Sequence, residues 1–328
     1  TERVTAFLQT DLGSGAGGSG YDWRVIDAWV SVKLDPLFTV YAGQNMVPAS
    51  RQNLTSSGAL LAIDRPGINY KTLTWGTRSV YAFANRTLGD ADAGLRGEVD
   101  VRDNGATAFG ATSLTDELHF KYYLGVYDGI QLADEDDLRY AGRVQLNIFD
   151  AESKYFNLSS YLGKKKTVGI GASYDMQDNV AACENMDNVD YSFYTVDVFA
   201  DLPCGPGTIT AEAAYEMLDL DGATALDHDG IAETDGVNAL QSEGEGYYVQ
   251  AGYLVNAWQP WVEFERWDSN ATDDKGSYDL MRIGLTYYIK GHNANIKAGY
   301  EVLEADTTLA STSEDTINSF VMGCYVTY

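Results

Sequence analysis

The sequence ends on Phe320-Val321-Met322-Gly323-Cys324-Tyr325-Val326-Thr327-Tyr328. Apolar or aromatic residues occupy every second position from Phe320 to Tyr328, and several positions between them hold small or polar residues. A period of two places the two sets on opposite faces of a β-strand. These nine residues alone fit the last strand of a soluble β protein and the last strand of a membrane barrel equally well.

The same alternation recurs along the whole chain. In segment 281–290, for example, Met281, Ile283 and Leu285 alternate with Arg282 and Thr286. Alternation and turn signals predict about fourteen strands, near 2–10, 22–34, 37–45, 104–112, 117–127, 138–148, 165–175, 190–202, 207–219, 246–256, 259–268, 278–290, 293–303 and 317–328. Most are about 9 to 13 residues long, which a tilted strand needs to cross a bilayer and which is about twice the ordinary soluble length.

Short and long connections alternate between these strands. The short ones are 35–36, 113–116, 203–206, 257–258 and 291–292, and the long ones are 11–21, 46–103, 128–137, 176–189, 220–245, 269–277 and 304–316. This is the up-and-down pattern of outer-membrane barrels, with turns in the periplasm and loops outside. Connection 149–164 is long where a turn is expected, and we interpret it as a periplasmic excursion containing a short helix.

Composition favours the same architecture. No run of residues approaches 18 apolar positions, so a transmembrane helix is excluded, and a closed barrel is the other structure that satisfies every backbone group in lipid. Trp23, Trp258, Trp261 and Trp267 lie near strand ends and predict aromatic girdles at the membrane interfaces. We therefore predict an all-β, transmembrane, antiparallel up-and-down barrel formed by residues 1–328 as a single domain.

The formal net charge of −26 argues against a nucleic-acid partner, whose phosphates would be repelled. It suits a surface that faces divalent cations or lipopolysaccharide, and it also suits any highly soluble acidic protein. Asp227, Asp229 and Glu233 resemble part of a calcium-binding loop, although the full spacing is missing. The alternative is a solvated loop that attracts cations. Apart from calcium there, we expect no cofactor.

Short motifs, taken in order along the chain, resemble those of the phosphate-selective porins. They are Asp27-Ala28-Trp29 with Val40-Tyr41-Ala42-Gly43-Gln44, Leu54-Thr55-Ser56-Ser57 with Asp64-Arg65-Pro66, Arg102-Asp103-Asn104-Gly105, Tyr122-Tyr123-Leu124-Gly125-Val126-Tyr127-Asp128-Gly129, and Arg139-Tyr140-Ala141-Gly142-Arg143-Val144 with Gly163-Lys164-Lys165-Lys166 and Gly169-Ile170-Gly171-Ala172-Ser173-Tyr174. Their order covers 27–175, and the remainder of the chain is similar in architecture only.

The resemblance implies a homotrimer in the bacterial outer membrane, in contact with lipid and lipopolysaccharide. It implies a water-filled pore for passive diffusion of small hydrophilic solutes, with anions such as phosphate as the expected cargo. The family barrel has sixteen strands, so fourteen visible strands and an abrupt start imply two further N-terminal strands. The acidic charge departs from the family, whose members attract anions through basic residues along the pore.

Connection 46–103 is the predicted pore loop, folded into the lumen. It carries the constriction candidates Arg51, Arg65, Lys71 and Arg78, which would attract anions. The alternative is that they are ordinary loop charges that bond loop carbonyls and carboxylates. Because porins perform no covalent chemistry, we expect no enzymatic activity.

Strand alternation predicts a second set of charged residues that face the lumen. They are Asp27, Lys33, Lys121, Arg143, Glu212, Glu216, Glu263, Glu265, Arg282, Lys297 and Glu301. A charge on the lipid face would cost about 2–4 kcal/mol at the membrane midplane. The mixed signs indicate a weakly selective channel. In the last strand, Phe320 and Tyr328 are expected to act as the assembly signal that outer-membrane barrels carry.

Two rival functions remain open from the sequence. A barrel that serves as a sheath or scaffold, for an electron-transfer cytochrome or a surface-layer component, would need a wide and unobstructed lumen. A porin needs 46–103 folded inside. A barrel enzyme is disfavoured because no Ser/His/Asp constellation is evident among the three histidines of the sequence.

Overall fold

A computed structural model describes residues 3–14, 21–35, 37–67, 102–129, 137–181, 189–221, 243–270, 277–305 and 316–326. The described residues form fourteen strands: β1 (Val4–Ser14), β2 (Tyr21–Asp35), β3 (Phe38–Met46), β4 (Arg102–Ser113), β5 (Leu118–Tyr127), β6 (Arg139–Phe149), β7 (Thr167–Ala181), β8 (Val189–Cys204), β9 (Gly207–Asp221), β10 (Gly244–Leu254), β11 (Trp258–Ser269), β12 (Tyr278–Tyr288), β13 (Ala294–Ala305) and β14 (Thr316–Val326).

Each strand pairs antiparallel with its neighbour in the chain, in one sheet ordered β1 to β14. This confirms the predicted all-β, up-and-down class and the fourteen strands. The tight turns form where the backbone can reverse within two residues. Between β8 and β9, for instance, Gly205 has a left-handed φ of 55°, which a glycine adopts without steric cost.

The two faces of the sheet have the polarity that a bilayer requires. On the outer face, Leu124 is 63% exposed, Val196 57% and Ile283 56%. On the inner face, Lys121, Arg143 and other charged side chains are buried. A soluble β protein buries its apolar face instead, so exposed aliphatic side chains on strand after strand indicate a lipid-facing surface.

The two end strands of the sheet each have one partner. β14 pairs with β13 from Thr316 to Val326, and β1 pairs with β2. Among the described residues β1 and β14 do not pair with each other, so the sheet is not closed. In the described ranges the one helix is the 3₁₀ turn Ser57–Ala59, and no helix there is long and apolar enough to span a membrane.

Two segments outside the strands fold onto the inner face. The loop-end segment, 47–67, follows β3, and the turn-end segment, 150–164, follows β6 at the opposite end of the sheet. The predicted periplasmic excursion with a helix at 149–164 is therefore wrong: the segment has no helix and enters the lumen. Phe149 has a left-handed φ of 74° where it begins, and Leu162 and Gly163 have φ of 54° and 73° where it turns back.

The aromatic girdle is only partly as predicted. Trp258 is half exposed on the outer face and fits a girdle position. Trp261 and Trp267 are buried on the inner face, so their girdle assignment is wrong. Trp261 packs against Leu61 and Ala62 of the loop-end segment. The side chain of Trp23 lies outside the described residues.

Candidate functional site

The two inserted segments pair with each other inside the barrel. Thr55 and Asn157 form a parallel β-bridge. The Ser56 amide donates to the Asn157 carbonyl at 3.1 Å, and the Asn157 amide donates to the Leu54 carbonyl at 2.8 Å. These bonds satisfy backbone groups that would otherwise be buried without partners. One segment from each end of the barrel thus meets the other in the lumen.

A buried ion pair joins the same two segments, and we call it the clasp. Arg51 Nη1 and Nη2 donate to the two carboxylate oxygens of Glu152 at 2.9 and 2.8 Å. Tyr161 Oη donates to Glu152 Oε1 at 2.5 Å, and the Arg51 guanidinium lies 3.8 Å from the centre of the Phe199 ring. Bidentate geometry of this kind makes the strongest hydrogen-bonded ion pairs.

Both partners of the clasp are charged at neutral pH. Burial alone would raise the pKa of Glu152, but the Arg51 charge and its hydrogen bonds outweigh burial and hold that pKa well below its usual range. Burial likewise disfavours the charged form of Arg51, and the charge of Glu152 raises the Arg51 pKa above its ordinary value. The two charges of the clasp therefore stabilise each other.

Tyr155 anchors the turn-end segment to the sheet. Its ring lies 4.2 Å from the ring of Tyr41, 5.2 Å from that of Tyr123 and 5.4 Å from that of Phe109, measured between centroids. Its hydroxyl donates to the Met46 carbonyl at 2.8 Å, where β3 passes into the loop-end segment. One side chain thus connects the turn-end segment to the start of the loop-end segment.

Two of the predicted lumen-facing lysines hold the inserted segments. Lys121 Nζ donates to Asn157 Oδ1 at 2.7 Å. Lys297 Nζ donates to the carbonyls of Leu60 and Ala62. Each ammonium group therefore bonds an oxygen of a segment, in the way that a buried lysine must find acceptors.

The constriction candidates within the described residues bind protein groups. Arg51 forms the clasp, and Arg65 donates to the carbonyls of Gln52 and Thr55 at 3.0 and 2.6 Å. These contacts match the alternative stated for loop charges, bonding to carboxylates and carbonyls. Lys71 and Arg78 lie outside the described residues, as do Tyr328 and the calcium candidates Asp227, Asp229 and Glu233. Within the described ranges, no group of three His, Cys, Asp or Glu is arranged to hold a metal.

The inner side of β2–β8 carries arginine–aspartate pairs, which we call the paired wall. Arg143 donates to both carboxylate oxygens of Asp197 at 2.5 and 2.9 Å. Two further arginines have aspartate partners, as follows: Arg139 contacts Asp175 at 2.6 Å and Asp103 at 3.4 Å, and Arg102 contacts Asp27 at 3.0 Å. Sequence reasoning missed Arg102, Asp103, Arg139 and Asp175. Asp103, Arg139 and Asp175 follow the alternation of the inner face, whereas Arg102 is adjacent to Asp103 at the first position of β4.

The inner side of β9–β13 differs, and we call its glutamates the acidic wall: Glu212, Glu216, Glu263, Glu265 and Glu301. Arg282 is the arginine among them, and it contacts Glu263 at 2.7 Å, Glu301 at 2.5 Å and Glu265 at 3.8 Å. Pairing registers place Glu212, Gln250, Glu263, Arg282 and Glu301 in one row across five strands.

The loop-end segment reaches far around the inner side. Gln52 Nε2 donates to Glu212 Oε1 at 2.8 Å. A Cβ atom added at Gly67 would lie 2.7 Å from Glu216 Oε1, and one added at Gly58 would lie 2.2 Å from the Tyr325 hydroxyl on β14. The segment therefore passes closely over the acidic wall and reaches the last strand. Lys33, the remaining predicted lumen residue, is exposed at the turn end on the same face as Asp27.

The strands form a membrane-spanning sheet with a charged inner side, and the two inserted segments narrow the lumen beside it. Comparison with known proteins decides the family of the chain. The family model of the phosphate-selective porins O and P matches residues 1–328. The chain belongs to this porin family. Its place in the bacterial outer membrane follows from the family and from the outer-membrane fold.

One relative in sequence and several solved structures are similar to this chain. An uncharacterized protein of Aquifex aeolicus (strain VF5) is 25% identical over 328 residues, covering 93% of this porin and 66% of the relative, so the chain spans about two thirds of that protein's length. The anion-selective porin from Comamonas acidovorans has a TM-score of 0.54 at 13% identity, covering 97% of this chain and 79% of that one.

Two forms of one further outer-membrane protein share the fold. In-vitro folded OmpT of Vibrio cholerae has a TM-score of 0.53 at 10% identity, over 99% of this chain and 84% of that one. Its trimer form has a TM-score of 0.50 at 10% identity, over 99% and 86%. At such identities the likeness concerns the fold alone.

Proposed function

We propose that this porin forms a water-filled channel for passive diffusion of small hydrophilic solutes and ions across the outer membrane. The observation that carries the proposal is the meeting of the loop-end and turn-end segments inside the barrel, between charged walls. Pore radius and lining charge are the two properties by which a channel selects solutes. The inserted segments reduce the pore radius, and the two walls supply the lining charge.

The same observation disfavours the sheath or scaffold. A sheath around a cytochrome or a surface-layer component needs an open lumen, whereas residues 47–67 and 150–164 cover the inner side from β2 to β14. Trp29 on β2 packs near Phe156, with ring centroids 6.3 Å apart, and Gly58 lies against Tyr325 on β14. An interior occupied in this way supports a channel for small molecules.

The cargo expected from the family is an anion such as phosphate, and the name of the Comamonas porin points the same way. Arg51 and Arg65 argue against an anion as the cargo, because both already bond protein groups of the inserted segments. Lys71 and Arg78 remain candidates for anion contacts at the constriction. We also propose a homotrimer, supported by the trimer form of OmpT, and lipopolysaccharide as the neighbour of the acidic loops. Light scattering of the detergent-solubilised porin gives its oligomeric state.

Planar-bilayer recording tests the channel itself. The purified porin, added at nanomolar concentration to a bilayer in potassium chloride, is expected to produce discrete conductance steps of uniform size. A heat-denatured sample is the matched control and is expected to produce none. A folded barrel that inserts without conducting would contradict the proposed function and favour the scaffold.

A further inference from the structure

We infer that the turn-end segment is a lid, which closes the turn end of the channel in this structure and lifts from the wall when the channel conducts. This inference rests on the proposed channel function and adds a gate to it. Three observations carry it: the span of the segment across the barrel, the dry polar wall beneath it and the backbone where it leaves and rejoins the sheet.

The segment spans the turn end of the barrel from one side to the other. Near its start, the ring of Tyr155 packs on aromatic rings of β3, β4 and β5. Near its end, the Tyr161 amide donates to Asp201 Oδ2 on β8 at 2.8 Å. His292, in the turn after β12, donates through Nε2 to the Ser160 carbonyl at 2.8 Å. A segment held at such distant points of the wall crosses the lumen and fills part of its cross-section.

The wall between the last two contacts is polar and dry. Gln259, Thr286 and Asn295 lie on the inner face of β11, β12 and β13 at the turn end, and none of them is more than 1% exposed. Among the described residues, Gln259 Nε2, Thr286 Oγ1 and Asn295 Oδ1 have no hydrogen-bond partner, and the same holds for the Ser159 hydroxyl of the segment. Buried polar atoms without partners are costly. Because the inner face of a pore is polar where it faces water, this wall has the composition of a surface that is wet in a second conformation.

The backbone gives the segment a fixed neck and two strained positions. At the neck, the Asp150 amide donates to the Lys166 carbonyl at 2.9 Å, and the Lys166 amide donates to Asp150 Oδ2 at 2.6 Å. Phe149 before the neck and Leu162 near the end of the segment have left-handed φ of 74° and 54°. Bulky residues keep such a φ only where surrounding contacts impose it, and positions of this kind serve as hinges in proteins that switch. The body of the segment can therefore pivot while its neck stays paired.

Opposing contributions set the balance between the closed and the lifted lid. The strained backbone and the unpaired wall atoms favour lifting, which lets water reach the wall. The clasp and two hydrogen bonds of Ser160 favour closure: Thr210 Oγ1 donates to Ser160 Oγ at 3.2 Å, and His292 donates to the Ser160 carbonyl. We call these two hydrogen bonds the latch. A two-state element of this kind responds to any change that stabilises one position over the other.

A reversible cross-link at the latch tests the lid. The hydroxyls of Ser160 and Thr210 are buried and 3.2 Å apart, so the double variant Ser160→Cys and Thr210→Cys places two sulfur atoms within bonding reach. It is made in a chain whose three native cysteines are serine. In planar bilayers we expect oxidation to lower the mean conductance about tenfold and dithiothreitol to restore it, because a lid tied to the wall cannot open the pore. The two single variants are the matched controls and should not respond to oxidation.

The possible results of the cross-link separate the lid from the channel. An oxidised double variant that conducts like the wild type, with the disulfide shown by mass spectrometry, would overturn the lid. Two cysteines that stay reduced under oxidant would show that the segment does not rest on β9, and this result would overturn the lid as well. A wild type that never conducts would instead overturn the proposed channel function.

A second variant weakens the latch without a cross-link. His292→Phe keeps a ring beside Tyr288, where the two ring centroids are 5.8 Å apart, and removes the hydrogen bond to the Ser160 carbonyl. We expect the ratio of open to closed time in single-channel records to rise about fivefold, the effect of losing one hydrogen bond of ordinary strength. Tyr253→Phe is the matched control, since it removes a 2.9 Å hydrogen bond to the Cys204 carbonyl at the same end but in an exposed position. Gel mobility before and after heating shows that each variant is folded. A folded His292→Phe channel with the wild-type ratio would overturn the latch and with it the lid.

Discussion

The paired wall and the acidic wall belong to one sheet but differ in the way their carboxylates meet arginines. On β2–β8, Arg143 and Arg139 contact aspartate oxygens at 2.5 and 2.6 Å, so each of these arginines has a carboxylate partner. On β9–β13, one arginine, Arg282, contacts three glutamates within 3.8 Å. The two walls therefore differ in how many carboxylates surround each arginine. Both walls are buried: Arg143, Glu263 and Glu265 are each at most 1% exposed.

The clasp lies where the two walls meet. Breaking it is expected to cause the largest loss of stability. Glu152→Ala leaves Arg51 buried without its carboxylate and also removes acceptors from Gln145 and Asn147. Loss of one partner of a buried ion pair costs about 3–5 kcal/mol. We expect a loss of that size in urea titrations in lipid vesicles, together with a larger single-channel conductance as the segments separate.

Ser153→Ala, an exposed residue of the same segment, is the control for this variant and is expected to change neither quantity. An unchanged conductance in a destabilised but folded Glu152→Ala channel would mean that the clasp supports the fold without defining the constriction.

Removing an arginine from the paired wall is expected to cause the next largest loss of stability. Arg143→Met leaves Asp197 buried without its arginine, which costs about 3 kcal/mol of unfolding free energy. The double variant Arg143→Met and Asp197→Leu removes both charges and is expected to recover most of that loss in urea titrations. A double variant that stays as unstable as Arg143→Met would show that the unpaired charge of Asp197 is not the cause of the loss.

The stability that Glu152 contributes to the folded porin is expected to depend on pH. Its pKa in the folded porin is held below the ordinary value of 4.5 by Arg51, although burial acts in the other direction. A depressed pKa contributes stability that is fully present above the ordinary pKa and is lost as the pH falls toward the folded value. We expect the stability difference between wild type and Glu152→Gln to be constant from pH 8 to 6 and to shrink below about pH 4.5. A difference that grows as the pH falls would contradict this sign.

The smallest expected effect concerns the Tyr155 anchor. Tyr155→Phe keeps the ring cluster and removes the hydrogen bond to the Met46 carbonyl, which costs about 1 kcal/mol. Tyr122→Phe is the matched control, since its hydroxyl donates to the Leu37 carbonyl in an exposed position and should contribute less. Equal losses in both variants would show that the buried anchor is no stronger than a surface hydrogen bond.

The sequence contains two signals of the segments that fold into the lumen. Tyr123 shares an alternation with Lys121, and Trp261 shares one with Glu263. Large aromatic residues on the charged face of a barrel strand need something to pack against, and both now contact the inserted segments or their anchor. The excess length of 149–164 was the second signal. It indicated an unusual connection without showing the direction in which it folds.

The sequence alone determined the class, the fourteen strands and the inner face of Lys121, Arg143 and the other charged residues assigned to the lumen, because alternation with a period of two is a local property of the chain. It also determined the acidic balance. The tertiary structure decided where the turn-end segment goes and which bases are engaged. Arg51 and Glu152 are 101 positions apart, and no local pattern encodes a contact across that distance. Such a contact forms only when the barrel brings both segments into one interior, where burial leaves each charge no better partner than the other.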